Sequence, residues 1–131
     1  MSSPRNWRTL RAFAAVAAES STPDDDSAWV SLGEASSRAE VRVVAGATAA
    51  NTPTAVQLTY WRRTKSTANA SVVDSVAVVT HPVTVADVNE GTPVVLPDLG
   101  GSDLYVTVGF VAGTSPTFTG TVQCRSLAPS A

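Results

Sequence analysis

Few side chains in this sequence belong to the types that carry out chemistry, and those few lie far apart. The chain has a single histidine, a single cysteine and a single lysine, which are His81, Cys124 and Lys65. A nucleophilic serine needs a base that a third group orients, and no serine lies in a G-x-S-x-G elbow. His81 precedes Pro82 at the end of a predicted strand, which favours a structural role. The sequence therefore predicts a protein that is not an enzyme.

Acidic residues cluster in three short stretches that offer oxygen ligands. Asp24–Asp26 form a triplet, but no glycine-punctuated loop or closing glutamate surrounds it, as a calcium-binding loop requires. The stretches 87–90 and 98–103 also contain carboxylate or amide oxygens that can hold a cation between strands. Turn or hinge formation is the simpler interpretation of all three. We expect no metal and no other cofactor.

The densest basic cluster follows an aromatic pair. Arg62, Arg63 and Lys65 come directly after Tyr60 and Trp61. Basic residues beside aromatic ones are typical of platforms for single-stranded nucleic acid, but three charges are few, and the net charge of -2 provides no long-range attraction for a polyanion. We expect a solvated strand end, or a patch that forms salt bridges with an acidic neighbour such as the aspartate triplet of another copy. Nucleic acid is not an expected partner.

Three aromatic residues are predicted to point outward. In the alternation of their segments, Trp29, Trp61 and Tyr105 fall on the side opposite the apolar residues. Exposed aromatic side chains mark binding surfaces, because they seat protein partners or stack on sugar rings. A register shift of one residue would bury all three.

The elements that must position these residues are strands. In the last segment Phe118, Val122 and Cys124 alternate with threonine, glutamine and arginine, which is the pattern of a strand with one buried face. Residues 104–110 alternate in the same way, and the intervening 113–116 has turn composition. These two strands are predicted to form a hairpin.

Further strands are predicted throughout the remaining sequence after residue 27. The run 71–80 is apolar on both sides, which is typical of a strand covered on both faces. Shorter strands are predicted near residues 28–32, 40–43, 56–61, 83–85 and 94–96.

Seven or eight short strands separated by turn residues predict an all-β fold, either an antiparallel β-sandwich or a jelly roll. No helical pattern separates the strands, which excludes a parallel α/β fold. Valine occurs 20 times and isoleucine never, so the core should be built from valine. The lone cysteine excludes an internal disulfide, and no apolar run is long enough to span a membrane.

The first 26 residues differ in composition from the rest. We expect residues 1–26 to form an N-terminal arm with an acidic hinge, and residues 27–131 to form the sandwich. Trp7, Leu10 and Ala14 fall at helical spacing, so the arm is predicted to be a short amphipathic helix or an extended strap. A helix this short must pack against something, either its own domain or a neighbouring subunit. The predicted contact residues are Arg5, Trp7, Arg8, Leu10, Arg11 and Phe13.

The start of the chain also imitates a signal peptide. Arginines precede the apolar run 12–18, but that run is short, mostly alanine and free of leucine. We therefore expect no cleavage. A mature chain beginning near Glu19 would instead favour a secreted adhesin or an accessory domain.

The polar faces of the predicted strands are lined with threonine and serine. Soluble monomers usually protect exposed strand edges with lysine, and this chain has only Lys65. The simplest explanation is that other subunits cover the edges and faces. The sequence therefore predicts a homo-oligomer.

The composition and layout of the whole chain resemble a known group of proteins. A β-sandwich of this size, rich in valine, alanine and threonine and preceded by an arm, looks like the small structural proteins of tailed bacteriophage virions. Within that group it is most similar to head decoration or cement proteins, and secondarily to tail or neck components. The resemblance implies a non-enzymatic virion protein, assembled in the host cytoplasm, that stabilises a lattice of major capsid protein or binds other virion proteins.

The alternative belongs to a different class of function. A carbohydrate-binding β-sandwich would use Trp29, Trp61 or Tyr105 as a stacking platform for a sugar ring.

Overall fold

The structure of the chain is a computed structural model. It describes residues 7–24, 27–31, 38–44, 46–65, 71–82, 87–88, 93–96 and 103–126. These residues form ten strands and no helix, so none of them belongs to a helix that could cross a membrane. The strands are β1 (Arg8–Ala17), β2 (Val30–Ser31), β3 (Ala39–Val43), β4 (Ala47–Ala50), β5 (Ala55–Lys65), β6 (Ser71–Pro82), β7 (Asp87–Val88), β8 (Val94–Leu96), β9 (Asp103–Val111) and β10 (Thr117–Ser126).

The strands form two antiparallel sheets. The larger sheet has the order β7-β4-β10-β3-β8, and β1 also pairs with β10. Strands β3 and β4 lie end to end along β10, since β3 pairs with residues 122–126 and β4 with residues 117–119. The smaller sheet has the order β2-β9-β5-β6. The prediction of an all-β antiparallel sandwich is confirmed. The predicted hairpin between residues 104–110 and the last strand is wrong, because β9 belongs to the smaller sheet and β10 to the larger one.

The core lies between the sheets and is rich in valine, as predicted. Val41 and Val43 of the larger sheet and Val56, Val106 and Val108 of the smaller one are almost completely buried. Burial of such side chains contributes roughly 1.5–3 kcal/mol each. The predicted alternation of the last strand is also confirmed, because its apolar residues are buried and its threonines lie partly or fully in solvent.

Of the short helix and the extended strap predicted for the N-terminal segment, the structure shows the extended form. Residues 8–17 form β1, a strand of the larger sheet, whose pairing with β10 shifts register twice. Leu10 and Phe13 are only 4% and 3% exposed and belong to the core. Of the two alternatives for this segment, the structure shows the one in which it packs on its own domain. The compositional boundary at residue 26 therefore does not separate β1 from the sandwich.

Strand β6 also differs from its prediction. Its sequence predicts a strand covered on both faces, but β6 is the outermost strand of the smaller sheet. Val78, at its centre, has 58% of its surface exposed. In the described part of the chain, the centre of β6 is therefore exposed and not covered on both faces.

Candidate functional site

The three predicted surface aromatics come together on the outer face of the smaller sheet. Trp61 of β5 lies directly opposite Tyr105 of β9, and the ring of Trp29 is 5.7 Å from the ring of Tyr105. All three are half-buried, whereas Tyr60 and Leu104, which precede two of them on their strands, are completely buried. The predicted outward register is therefore correct. We call Trp29, Trp61 and Tyr105 the aromatic cluster.

Hydrogen bonds fix both tryptophans of the aromatic cluster. Nε1 of Trp61 donates to Oγ1 of Thr107 over 2.9 Å. Nε1 of Trp29 donates to the backbone oxygen of Asp24 over 2.7 Å. Because each indole N–H has a partner, the rings are held in place although one side of each remains wet.

Arg63 joins the cluster by charge and by stacking. Its guanidinium lies 2.5 Å from a carboxylate oxygen of Asp103, which is the residue opposite it on β9. The same guanidinium lies 5.0 Å from the centre of the Trp29 ring, within the range of a cation–π interaction.

The structure does not bring the predicted basic cluster together. Arg62 and Arg63 are consecutive on β5, so their side chains point to opposite faces of the sheet. Arg62 lies 3.7 Å from Asp74 on β6, whereas Arg63 pairs with Asp103. The side chain of Lys65 lies outside the described residues. The two arginines therefore meet carboxylates of their own chain and do not share a basic patch.

Arg11 connects β1 to the smaller sheet. Its guanidinium donates to both carboxylate oxygens of Glu19, each over 2.8 Å, and to the backbone oxygen of Val106 over 3.0 Å. The backbone of Glu19 donates to the carbonyl of Val108 over 2.8 Å, and its carboxylate accepts from the N–H of Val108 over 3.1 Å. The guanidinium is also 5.1 Å from the ring of Tyr105. These bonds close one side of the sandwich.

A polar cleft of about 410 Å³ lies beside the aromatic cluster. We call it the Tyr105 cleft. One side is formed by residues of β9 and the other by the segment that leads from β1 towards β2. Its lining residues are Ala18, Glu19, Ser20, Ser21, Thr22, Pro23, Asp24, Ser27, Tyr105 and Thr107. The lining therefore includes an aromatic ring, several hydroxyl groups and two carboxylates, of which that of Glu19 is bonded to Arg11 and to the backbone of Val108.

The remaining predicted arm residues contact the larger sheet or β2. The ring of Trp7 has the guanidinium of Arg42 at 4.1 Å and that of Arg125 at 4.5 Å. Arg125 also pairs with Glu40 over 2.7 Å. Arg8 donates to the backbone oxygen of Ser31. Arg5 lies outside the described residues.

The groups with potential reactivity are not placed together. Cys124 is completely buried on the inner face of β10, as predicted, and burial raises the pKa of its thiol, partly offset by the nearby charge of Arg8. His81 is buried on β6, and Asp24 lies in the Tyr105 cleft. Within the described residues, no three histidine, cysteine, aspartate or glutamate side chains are grouped as a metal site. Asp25 and Asp26 lie outside the described part of the chain.

Sequence reasoning missed the polar partners of the aromatic cluster. Asp103 and Thr107 become visible only when β5 and β9 are paired in register, because each lies at least 40 residues from its partner in the chain. Glu19 carries a sequence signal, since it is the nearest carboxylate after the arginines of the first segment.

Comparison of the chain with protein-family models, with curated proteins and with solved structures returns no significant match.

Proposed function

We propose that this protein is a non-enzymatic structural subunit that works in a permanent assembly with copies of itself. The observation that carries the proposal is strand β6. It is a twelve-residue strand at the border of its sheet, and no described residue pairs with its outer side. A long border strand of this kind presents unpaired backbone N–H and C=O groups to any chain that can add to it.

The composition of β6 favours association. Five of its twelve residues are valine, its only acidic residue is Asp74, and it contains no lysine or arginine. Soluble monomers usually protect such a border with lysine, a central proline or a bulge that twists it away. Strand β6 has one bulge, at Val76, where its register with β5 shifts, but six regular pairs lie on one side of it and five on the other, and the only proline ends the strand. Exposed Val78 adds apolar surface to the unpaired backbone.

A second copy of this chain is the partner that β6 fits best. A strand border that pairs antiparallel with its own copy forms an isologous contact, which closes as a dimer. Strand β8 offers a second border in the larger sheet, where Val95 is 47% exposed. Borders in both sheets allow contacts to neighbours as well as to the copy.

The assembly that we propose is a tailed-phage virion, with the chain acting as a head decoration or cement protein. This part rests on the resemblance in composition and layout, and the major capsid protein is its proposed partner. A tail or neck position uses the same surfaces. The identity of the neighbouring genes tests the assignment to a virion. Capsid, neck and tail genes are expected beside this one, and a neighbourhood of sugar-metabolising enzymes would contradict the assignment.

The experiment that tests self-association is a measurement of native mass with a charged variant of β6. The wild-type chain should sediment with a mass above the 13.5 kDa of one copy. The substitution Val78→Lys places a charge on the border strand and should shift the mass towards one copy. Its effect on stability should stay within about 0.5 kcal/mol, because the side chain is mostly exposed.

Val111→Lys is the matched control. Val111 is also an exposed valine, but it lies on β9 opposite Ala55 of β5, and β5 separates β9 from the border strand β6. The control should keep the wild-type mass. A wild-type chain with the mass of one copy at high concentration, or an equal effect of the two lysines, would contradict the proposal.

A further inference from the structure

We infer that the Tyr105 cleft is a binding site for a neutral saccharide of one or two rings. This inference is independent of self-association, because the cleft lies along β9, and β5 separates β9 from the border strand β6. Its volume of about 410 Å³ falls in the range of small-molecule sites.

The ring of Tyr105 supplies the apolar surface of the cleft. Sugar rings present C–H groups on their faces, and these pack against aromatic side chains. The guanidinium of Arg11 lies over the Tyr105 ring, 5.1 Å from its centre, and Trp29, whose indole is bonded to Asp24, packs against the ring at 5.7 Å. A ring that is fixed before binding loses little freedom when a ligand stacks on it.

The opposite wall supplies hydrogen-bonding groups for sugar hydroxyls. Ser20, Ser21 and Thr22 follow one another along it, and Ser27 faces the same space. A hydroxyl side chain both donates and accepts, and a carboxylate such as that of Asp24 accepts from two directions. This mixture matches the alternating donors and acceptors of a polyol.

The charge of the lining selects against anions. Both ionisable side chains that line the cleft and carry a full charge at neutral pH, Glu19 and Asp24, are carboxylates. The guanidinium of Arg11 is already engaged by both oxygens of Glu19. A phosphate or a sugar acid would therefore find no basic partner on the lining. A neutral sugar needs no such partner.

The test is a titration followed by amide chemical shifts in the ¹⁵N-labelled full chain. The probes are cellobiose, maltose, lactose and chitobiose at millimolar concentration, with glucuronic acid as the anionic comparison. We expect at least one neutral disaccharide to shift the amides of Tyr105, Thr107 and Ser27. Glucuronic acid should bind at least tenfold more weakly.

Two substitutions separate stacking from folding. Tyr105→Ala removes the aromatic surface and should weaken binding at least tenfold, whereas Tyr105→Phe keeps the ring and should weaken it less than threefold. Trp7→Ala, which removes an aromatic residue that packs against the larger sheet, should leave the affinity unchanged. Thermal unfolding of each variant shows whether the fold is intact.

The inference is overturned if none of the four disaccharides shifts the cleft amides. It is also overturned if glucuronic acid binds as tightly as the neutral sugars, or if Tyr105→Phe loses as much affinity as Tyr105→Ala. Loss of affinity in Trp7→Ala with an intact fold would place the site on the other sheet.

Discussion

Gly120 lies where β10 passes against the start of β4. A Cβ atom at this position would lie 2.5 Å from the Cβ of Ala47 and 3.1 Å from Cζ of Phe118. Both distances are shorter than van der Waals contact, and both neighbours are buried. The absence of a side chain at Gly120 therefore allows Phe118 to pack against Phe13, with their ring centres 5.2 Å apart.

We predict that Gly120→Ala destabilises the protein by about 1–3 kcal/mol, the usual result of overpacking a core. Urea unfolding monitored by tryptophan fluorescence measures the change. Gly109→Ala is the control, because the nearest atom to its added Cβ is 3.9 Å away. The control should change stability by less than about 1 kcal/mol. Equal losses in the two variants would contradict this account of Gly120.

Cys124 makes the stability of the fold sensitive to alkaline pH. Burial raises the pKa of its thiol in the folded chain, so above the ordinary thiol pKa of about 8.5 the unfolded chain loses a proton that the folded chain retains. The stabilisation that comes from retaining the thiol proton is complete below that pH. It is lost as the pH rises through the pKa of the thiol in the folded chain.

We therefore predict that wild-type stability falls more steeply between pH 8 and pH 10 than that of Cys124→Ala. The variant is less stable at neutral pH because it leaves a small cavity, but it lacks the titrating thiol. Chemical unfolding at a series of pH values gives the two slopes. Parallel slopes would show that the pKa of this thiol does not differ between the folded and unfolded chains.

Individual residues were predictable where a regular alternation reports burial. The inner positions of β10 and the outward register of Trp61 and Tyr105 follow from the two-residue period of a strand. The ion pair between Arg63 and Asp103 could not be predicted from this period, because it depends on which strands are neighbours and in what register they pair.

Among the elements, β1 shows how bulges imitate a helix. Leu10, Phe13 and Val16 are three residues apart and are all at least half-buried. In a regular strand residues three apart face opposite sides, but the two register shifts each add a residue and restore the inward direction. Ala15, at the second shift, has a positive φ of 51°. The helix-like spacing of the inward residues of β1 therefore results from the bulges of an irregular strand.

The side chains of Arg11 and Glu19, which join β1 to β9, should be energetically coupled to each other. Both side chains are mostly buried, and the pair is bidentate, which is the geometry in which ion pairs contribute most. We predict a coupling energy of about 1–2 kcal/mol in a double-mutant cycle of Arg11→Ala and Glu19→Ala. Unfolding free energies of the four proteins give this value.

Arg62 and Asp74 provide the matched cycle. They are 3.7 Å apart and more exposed, so their coupling should not exceed about 0.5 kcal/mol. If the two cycles give the same coupling, the link between Arg11 and Glu19 contributes no more than a surface ion pair.

On the scale of the whole molecule, the two sides of the sandwich differ. On one side β1, Arg11 and Glu19 connect the larger sheet to β9. On the other, the sheets end in β6 and β8, with Val78 and Val95 exposed. Composition predicted the fold class and the shortage of protective charge. It could not predict which strand would lie at the border, because strand order is set by pairing between distant segments.

The proposed assembly requires β6 to pair with a strand of another copy. Amide hydrogen exchange of the full chain, measured at low and at high protein concentration, reports on this pairing. Peptides covering 71–82 should become more protected as concentration rises, while those covering the inner strand 55–65 should stay unchanged. Exchange in 71–82 that is independent of concentration, in a chain that has the mass of one copy throughout, would contradict it.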